Sequence, residues 1–237
     1  MSAAPRLALI GMGKMGRTIA ALAAERGWPV VATIDAERNV DASGITPETL
    51  GEAQVAIEFT EPRAAAANVL ACVRARVPVV VGTTGWYTER EDVEEQVLAL
   101  NGAMFWSPNF AIGVNLFWHI AEHAARLASR APFDAHIVET HHAAKRDAPS
   151  GTAAQLGHVV SVALGRDVPI TSIRTGSVPG THELLLDAPY EQIRIEHVAR
   201  DRRVFADGAL LAARWLIDRR GVYTMRDLLD SNQLGHV

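Results

Sequence analysis

Cysteine is almost missing from these 237 residues: one thiol, Cys72, falls in an alanine-rich helical pattern and has no partner in the chain. A disulfide framework is therefore excluded, a reducing compartment fits best, and the thiol reads as a small buried filler. Long apolar runs are missing too. Although 49% of the residues are hydrophobic, none of the runs approaches the ~18 residues that a membrane span needs. Met1 to Arg6 is too short a lead for a secretory signal. A cytoplasmic protein with no membrane partner is expected. Aromatics make up only 6%, the net charge is −4, and no basic stripe interleaved with aromatics occurs, so no nucleic-acid partner is expected. Any positive potential must be local.

What is present is a rhythm. Leu7 to Ile10, Val30 to Ile34, Val55 to Phe59, Val77 to Val81 and Met104 to Trp106 are short apolar runs. Helical stretches at Thr18 to Arg26, Pro62 to Arg74 and Glu89 to Leu100 lie between them. Strand and helix alternating in this way predict an α/β fold with a Rossmann-like parallel sheet. From about Ser107 the grammar changes. A long helical pattern, Val114 to Ser129, precedes strand-like runs at Ala135 to Thr140, Ile170 to Thr175, Glu183 to Leu186 and Ile193 to Val198. These runs are not read as separated by regular crossover helices, which predicts a second α+β domain with a mixed or antiparallel sheet. Asp207 reads as the N-cap of a further helix through Leu210, Ala213, Leu216 and Ile217, and Met225 to Leu229 as a short closing one. The expected division is a dinucleotide-binding domain at 1–107, completed by about 208–237, and a substrate-binding and oligomerisation domain at 108–207.

Gly11-Met12-Gly13-Lys14-Met15-Gly16 follows the first apolar run and opens the first helical stretch, where a dinucleotide fingerprint belongs. Gly11 permits the tight turn, Gly13 lets backbone approach a pyrophosphate, and Gly16 lets helix and strand pack closely. The second run ends in Ile34-Asp35, about twenty residues on, at the position of a ribose-binding acid. Asp35 would accept from the adenosine ribose hydroxyls and repel a 2′-phosphate, which favours NADH over NADPH. Arg38 is either a solvated loop charge or a contact for that phosphate. Two more loops leave strand ends: one carries Phe59, and the other, Gly82-Thr83-Thr84-Gly85, has small residues and hydroxyls suited to ribose and nicotinamide. Pro108-Asn109-Phe110-Ala111, at the change of grammar, either closes over the nicotinamide or links two domains.

The chain's richest stretch runs from Glu139 to Thr152. His141, His142, Lys145 and Arg146 fall within six residues of a negatively charged protein, and Pro149-Ser150-Gly151-Thr152 then opens a helix. Amides at such a helix start, beside a cationic cluster, make an anion site in which Thr152 and Lys145 would hold carboxylates. Histidine supplies an acid near neutral pH, and a lysine crowded by other cations gives up its proton more readily. Adjacent histidines on a strand point to opposite faces, and no HExxH or Cys-His pattern accompanies them, so no metal site is expected.

With both parts in view, the sequence resembles the 4-hydroxy-tetrahydrodipicolinate (dihydrodipicolinate) reductases of lysine and diaminopimelate biosynthesis. The resemblance is carried by His-His-x-x-Lys-x-Asp-Ala-Pro-Ser-Gly-Thr-Ala at 141–153, the glycine loop, Gly82 to Gly85 and Asn109-Phe110 to Asn115. Arg174-x-Gly176 with Pro179-Gly180-Thr181-His182, and Gly208-Ala209 to Trp215-Leu216, extend it over nearly the whole chain. It implies that His141 is the general acid and Lys145 a second proton donor and substrate contact. His142, Ser150, Gly151 and Thr152 would bind the carboxylates of a cyclic dicarboxylate. Gly11 to Gly16, Asp35, Phe59, Gly82 to Thr84 and Pro108 to Ala111 would contact the cofactor, and the assembly would be a homotetramer built through the second domain's sheet. The sequence departs from the family pattern in three places. The glycine loop is one residue shorter than the longer form and carries Lys14 where an arginine often sits nearby. Glu58-Phe59-Thr60 replaces Asp-Phe-Thr, and the segment from Asp35 to Val55 is short. Two other classes stay open from the residues alone: a non-catalytic NADH sensor, which has no use for a proton donor beside an anion pocket, and an amino-acid dehydrogenase of the aspartate type, which shares the glycine loop but not the His-His-x-x-Lys run.

Overall fold

A computed structural model describes residues 4–231. In chain order the elements are β1 (Leu7–Ile10), α1 (Lys14–Glu25), β2 (Val30–Ile34), α2 (Pro47–Leu50), β3 (Val55–Glu58), α3 (Pro62–Arg74), β4 (Val79–Val81), α4 (Arg90–Ala99) and β5 (Ala103–Trp106). There follow α5 (Ile112–Ala128), β6 (Asp134–His141), α6 (Gly151–Leu164), β7 (Ile170–Arg174), β8 (Thr181–Ala188), β9 (Glu191–Val198), α7 (Arg203–Leu216), β10 (Gly221–Tyr223) and α8 (Met225–Asp230). The chain divides into two units, one comprising residues up to Ala111 together with those from Phe205 onward, the other Ile112–Val204. Residues 1–3 and 232–237 of the expected first domain lie outside the described residues. Among the described residues no helix is long and apolar enough to cross a membrane.

The first unit is a six-stranded sheet in the order β10-β5-β4-β3-β1-β2, with every pair parallel. Strands β1, β3 and β4 are buried along their whole length, which is why they read as unbroken apolar runs rather than alternating ones. Edge strand β2 alternates instead. The chain leaves β1 for β2 on one side and returns to β3 on the other, so the crossover direction reverses between β1 and β3. Ligands of open parallel sheets sit at the carboxyl ends of strands at that reversal. The alanines of α3 are interface rather than filler: Ala65, Val69, Cys72 and Val73 bury one stripe against Ala56, Val79 and Met104. Burial pushes the Cys72 thiol up and keeps it un-ionised.

The second unit is a four-stranded sheet in the order β7-β6-β8-β9. Helices α5 and α6 cover one face, burying Phe117, Ala121, Ala125, Leu156 and Val160 against Ile137, Leu184 and Leu186. Burial alternates along β6 and β8 because the opposite face carries no helix of this unit.

Three expectations are corrected. β6 and β7 are parallel and joined by α6, so the helix opened at Pro149 to Thr152 is a crossover between two strands of one sheet. Asp207 is not a cap. It lies inside α7, which starts at Arg203 because Asp201 accepts from the Arg203 amide at 2.8 Å, and Asp207 pairs with Arg26 instead. β10, three residues long and half-buried, had too short an apolar run to be read as a strand.

Candidate active site

The glycine loop is shaped by backbone contacts. Gly11 takes φ +91°, and a Cβ there would stand 2.1 Å from the Phe59 carbonyl oxygen; one on Gly16 would stand 2.0 Å from the Gly11 carbonyl oxygen. At Gly13 the same atom would meet nothing within 4 Å. Two glycines thus close the turn, while the third leaves room at the start of α1, a helix with neither a side-chain cap nor an acid in its first turn. That is the place for an anion. A cavity of ≈ 870 Å³ opens there, lined by Gly11, Met12, Gly13, Asp35, Phe59 and the segment Asn39 to Ala42 among others. The short stretch after β2 therefore does build a wall. Asn39 holds it by donating to Asn68 at 2.7 Å and accepting from the Gly44 amide at 3.2 Å. The residues present fit a dinucleotide: a cradle that side chains would fill, an uncapped helix start and an acid at the ribose position.

Lys14, Met15 and Gly16 lie on the first turn of α1 and do not line this cavity, nor do Gly82 to Thr84 and Pro108 to Ala111. The latter two segments are tied to its floor. Thr83 Oγ1 accepts from the Thr60 amide at 2.7 Å, the Phe59 ring occupies the place of a Gly82 side chain, and Phe110 packs 5.9 Å from both Phe59 and Phe105. Asn109 turns back on itself, its Oδ1 accepting from the Ala111 amide at 2.9 Å.

In the second unit the period-two alternation of β6 puts Glu139 and His141 on the face turned to the helices. The register then sets Ser172 of β7 and His182 of β8 beside Glu139, with His197 of β9 beside His182. Glu139 is fully buried. One of its oxygens is hydrogen-bonded to His141 Nδ1; the other accepts from the Arg174 guanidinium at 2.6 Å and from the Ser150 amide at 3.4 Å. Ser150 caps α6 by accepting from the Ala153 amide at 3.1 Å, and its hydroxyl meets His182 Nε2, also at 3.1 Å. Burial would raise the Glu139 carboxyl, but hydrogen bonds from Arg174, Ser172 and His141 outweigh it and hold the group at about 2. Burial lowers His141, opposed by Glu139. Burial, then the neighbouring His141, pushes His182 down to about 4, so that ring is neutral.

The remaining expected residues surround this cluster. Gly151 and Thr152 form the first turn of α6, with open space where a Gly151 side chain would be. His142 is half-buried just past the end of β6 and is not brought against Glu139. Both oxygens of Asp147 accept from the Lys145 ammonium, at 2.8 and 2.9 Å. Glu139, His141 and His182 bring ligand-type atoms within 4.8 Å of one another. The carboxylate is already engaged by a guanidinium, and a metal ion would add a further cation beside Arg174 and Lys145. The donor set suits a proton better than a metal.

Residues 5–110 match the family described as dihydrodipicolinate reductase, N-terminus, and residues 113–229 match its C-terminus. The chain belongs to the dihydrodipicolinate reductase family. A 4-hydroxy-tetrahydrodipicolinate reductase of Christiangramia forsetii is 34% identical over 94% of this chain and 97% of its own length. One from Chromobacterium violaceum is 38% identical over 76% and 74%. Among solved structures, a dipicolinate-bound dihydrodipicolinate reductase from Paenisporosarcina sp. TG-14 shares the fold with a TM-score of 0.79, 21% identity and coverage of 94% of this chain and 98% of that one. The N-terminal part is the family's NAD(P)H-binding Rossmann domain.

No role follows from the sequence alone for Glu139, Arg174 or His182, although all three stand in the stretches named above. Glu139 was detectable, since it stands two positions before His141 on a strand, on the same face. Arg174 and His182 come from other strands, and only the sheet register brings them to it.

Proposed function

We infer that this chain reduces 4-hydroxy-tetrahydrodipicolinate to tetrahydrodipicolinate with a reduced nicotinamide dinucleotide, using His141 as the general acid. The Glu139–His141 pair carries the reading, because a buried imidazole fixed through Nδ1 presents Nε2 alone for proton transfer. The first unit acts as the dinucleotide-binding domain and the second as the substrate-binding and oligomerisation domain. When bound, the nicotinamide supplies a hydride to the ring carbon. His141 supplies one proton, and the displaced hydroxyl leaves with it as water, which balances the reaction. Lys145, His142, Ser150, Gly151 and Thr152 hold the two carboxylates: the cations neutralise charge, and the α6 start, which has no acid in its first turn, supplies amide donors. Lys145 exchanges Asp147 for substrate and stands as the second donor from which that one proton can come.

NADH is the preferred cofactor. Asp35, Glu37, Asp41 and Glu61 line the cavity, and among the described residues the one lining cation, Arg63, is paired with Glu61 at 2.9 Å, a balance that disfavours a 2′-phosphate. Arg38 does not line the cavity. The helix-free face of the second sheet, where Ile173 and Val198 are exposed, is the surface through which copies assemble into a tetramer. With its single thiol buried, the protein fits the reducing cytoplasm.

The test is NADH oxidation by purified protein, with freshly generated hydroxytetrahydrodipicolinate and with NADPH in parallel. Turnover only with the dicarboxylate, faster with NADH, supports the reading. NADH binding without turnover would overturn it.

A further inference from the structure

We propose that Glu139 and Arg174 form a positioning pair for His141, fixing its Nδ1 side so that only Nε2 exchanges a proton with substrate. The inference rests on the reading of His141 as the acid. Its geometric basis is that both carboxylate oxygens of the fully buried Glu139 are engaged, one on His141 Nδ1, the other on the Arg174 guanidinium at 2.6 Å and the Ser150 amide at 3.4 Å. A buried carboxylate compensated on both oxygens stays ionised. An ionised acceptor at Nδ1 requires the hydrogen to be there, whether the ring is neutral or charged.

The mobile proton is then the one on Nε2. In the transfer one proton leaves the imidazolium at Nε2 and one arrives on the substrate, while Nδ1 keeps its hydrogen and Glu139 keeps its charge. Arg174 does more than neutralise. The same guanidinium donates to the Asp147 carbonyl at 2.7 Å, tying the Glu139 end of the chain to the loop that carries Lys145.

The far side of the ring is equally constrained. Gly180 sits over it at φ +152°, where a Cβ would be 3.0 Å from His141 Nε2 and 3.3 Å from Cδ2. The His182 ring stands 5.1 Å away, nearly perpendicular, with its own Nε2 engaged by the Ser150 hydroxyl, so it does not compete for Glu139. The titratable and charged groups facing the pair are Arg174 of β7, Lys145 and Asp147 of the loop after β6, His182 of β8 and, beyond it, His197 of β9. Lys145 and Arg174 disfavour the imidazolium and Glu139 favours it. Removing the Glu139 charge should therefore cost His141 its proton at lower pH.

The experiment compares full-length wild type with His141→Gln, Glu139→Gln and Arg174→Lys. Its readouts are kcat and KM across pH and the nitrogen-15 shifts of the histidine side chains. Glu139→Gln is expected to lower kcat about 10–10³-fold, within what general acid catalysis supplies, with the KM for NADH unchanged. The limb on which activity falls with rising pH should move to lower pH, and His141 should change from the Nδ1–H form to a tautomer mixture. A Glu139→Gln enzyme with unmoved limb and unchanged tautomer, alongside an impaired His141→Gln, overturns the positioning pair but not the acid. Full turnover by His141→Gln overturns the acid assignment itself. If Glu139→Gln does not fold, Arg174→Lys carries the same test, because lysine keeps the charge but its shorter stem and non-planar head change the hydrogen bonds that one Arg174 nitrogen makes to Glu139 and the Asp147 carbonyl. Lower kcat with an altered limb is expected for it, and an unchanged profile overturns the proposal.

Discussion

The glycine loop of the first unit and the Glu139 cluster of the second are built on opposite principles. The loop works by omission: Gly11 and Gly16 leave out atoms that would stand about 2 Å from a carbonyl oxygen, and the helix start is left uncapped. The cluster works by saturation, with one buried carboxylate engaged by an imidazole, a guanidinium and an amide. An omission is encoded in contiguous residues and is insensitive to pH. A saturated ion cluster is assembled from two strands and the start of α6 and responds to protons. Their charges differ as well, since acids outnumber bases around the cavity while Lys145 and Arg174 flank His141.

The sharpest break in the comparison is expected from His141→Gln, with turnover reduced about 10²–10⁴-fold while NADH binding, followed by fluorescence titration, is retained. Within the glycine loop the substitutions should separate by kind. Gly11→Ala forces a left-handed backbone and a carbonyl clash, and is expected to lose about 1–3 kcal/mol of stability or more in denaturant unfolding. Gly13→Ala should unfold as the wild type does and weaken NADH alone, because its Cβ points into the open space an anion would use. Equal stability losses would show that Gly13, too, is a folding residue.

Acid stability tests the other half of the contrast. His182 is held below its ordinary value of 6.5, at about 4, by burial and the neighbouring His141. The unfolded chain takes up this proton more readily than the folded one, so the contribution is whole above pH 6.5 and is lost as pH falls toward 4. Tm should fall over that window, and less steeply in His182→Asn. A similar slope in the variant would assign the loss to other groups. The smallest effect belongs to Ser150→Ala, about 1 kcal/mol for the lost cap of α6, read as a small shift in the urea midpoint. A much larger loss would mean that the His182 contact matters more than the cap.

The same contrast explains what could be read in advance. β1, β3 and β4 announced themselves as unbroken apolar runs because both their faces are buried, and the glycine loop followed from spacing alone. Asp35 was found by its distance along the chain and does line the cavity. The α6 crossover was missed because a helix start does not tell which strands the helix joins, and Asp207 misled because a capping residue and an ion-pair residue look alike in sequence. Lys145 could be named, but the Asp147 carboxylate that offsets it needed the loop to close.

The sequence by itself determined the parallel sheet, the glycine loop and the membership of His141 and Lys145 in one cationic stretch, since each depends on neighbours a few residues apart. Tertiary structure alone decided which partners surround His141. Arg174 and His182 lie 33 and 41 positions from it in the chain, and only strand register, set by which face of the sheet must be buried, brings their charge and their shape to the same carboxylate.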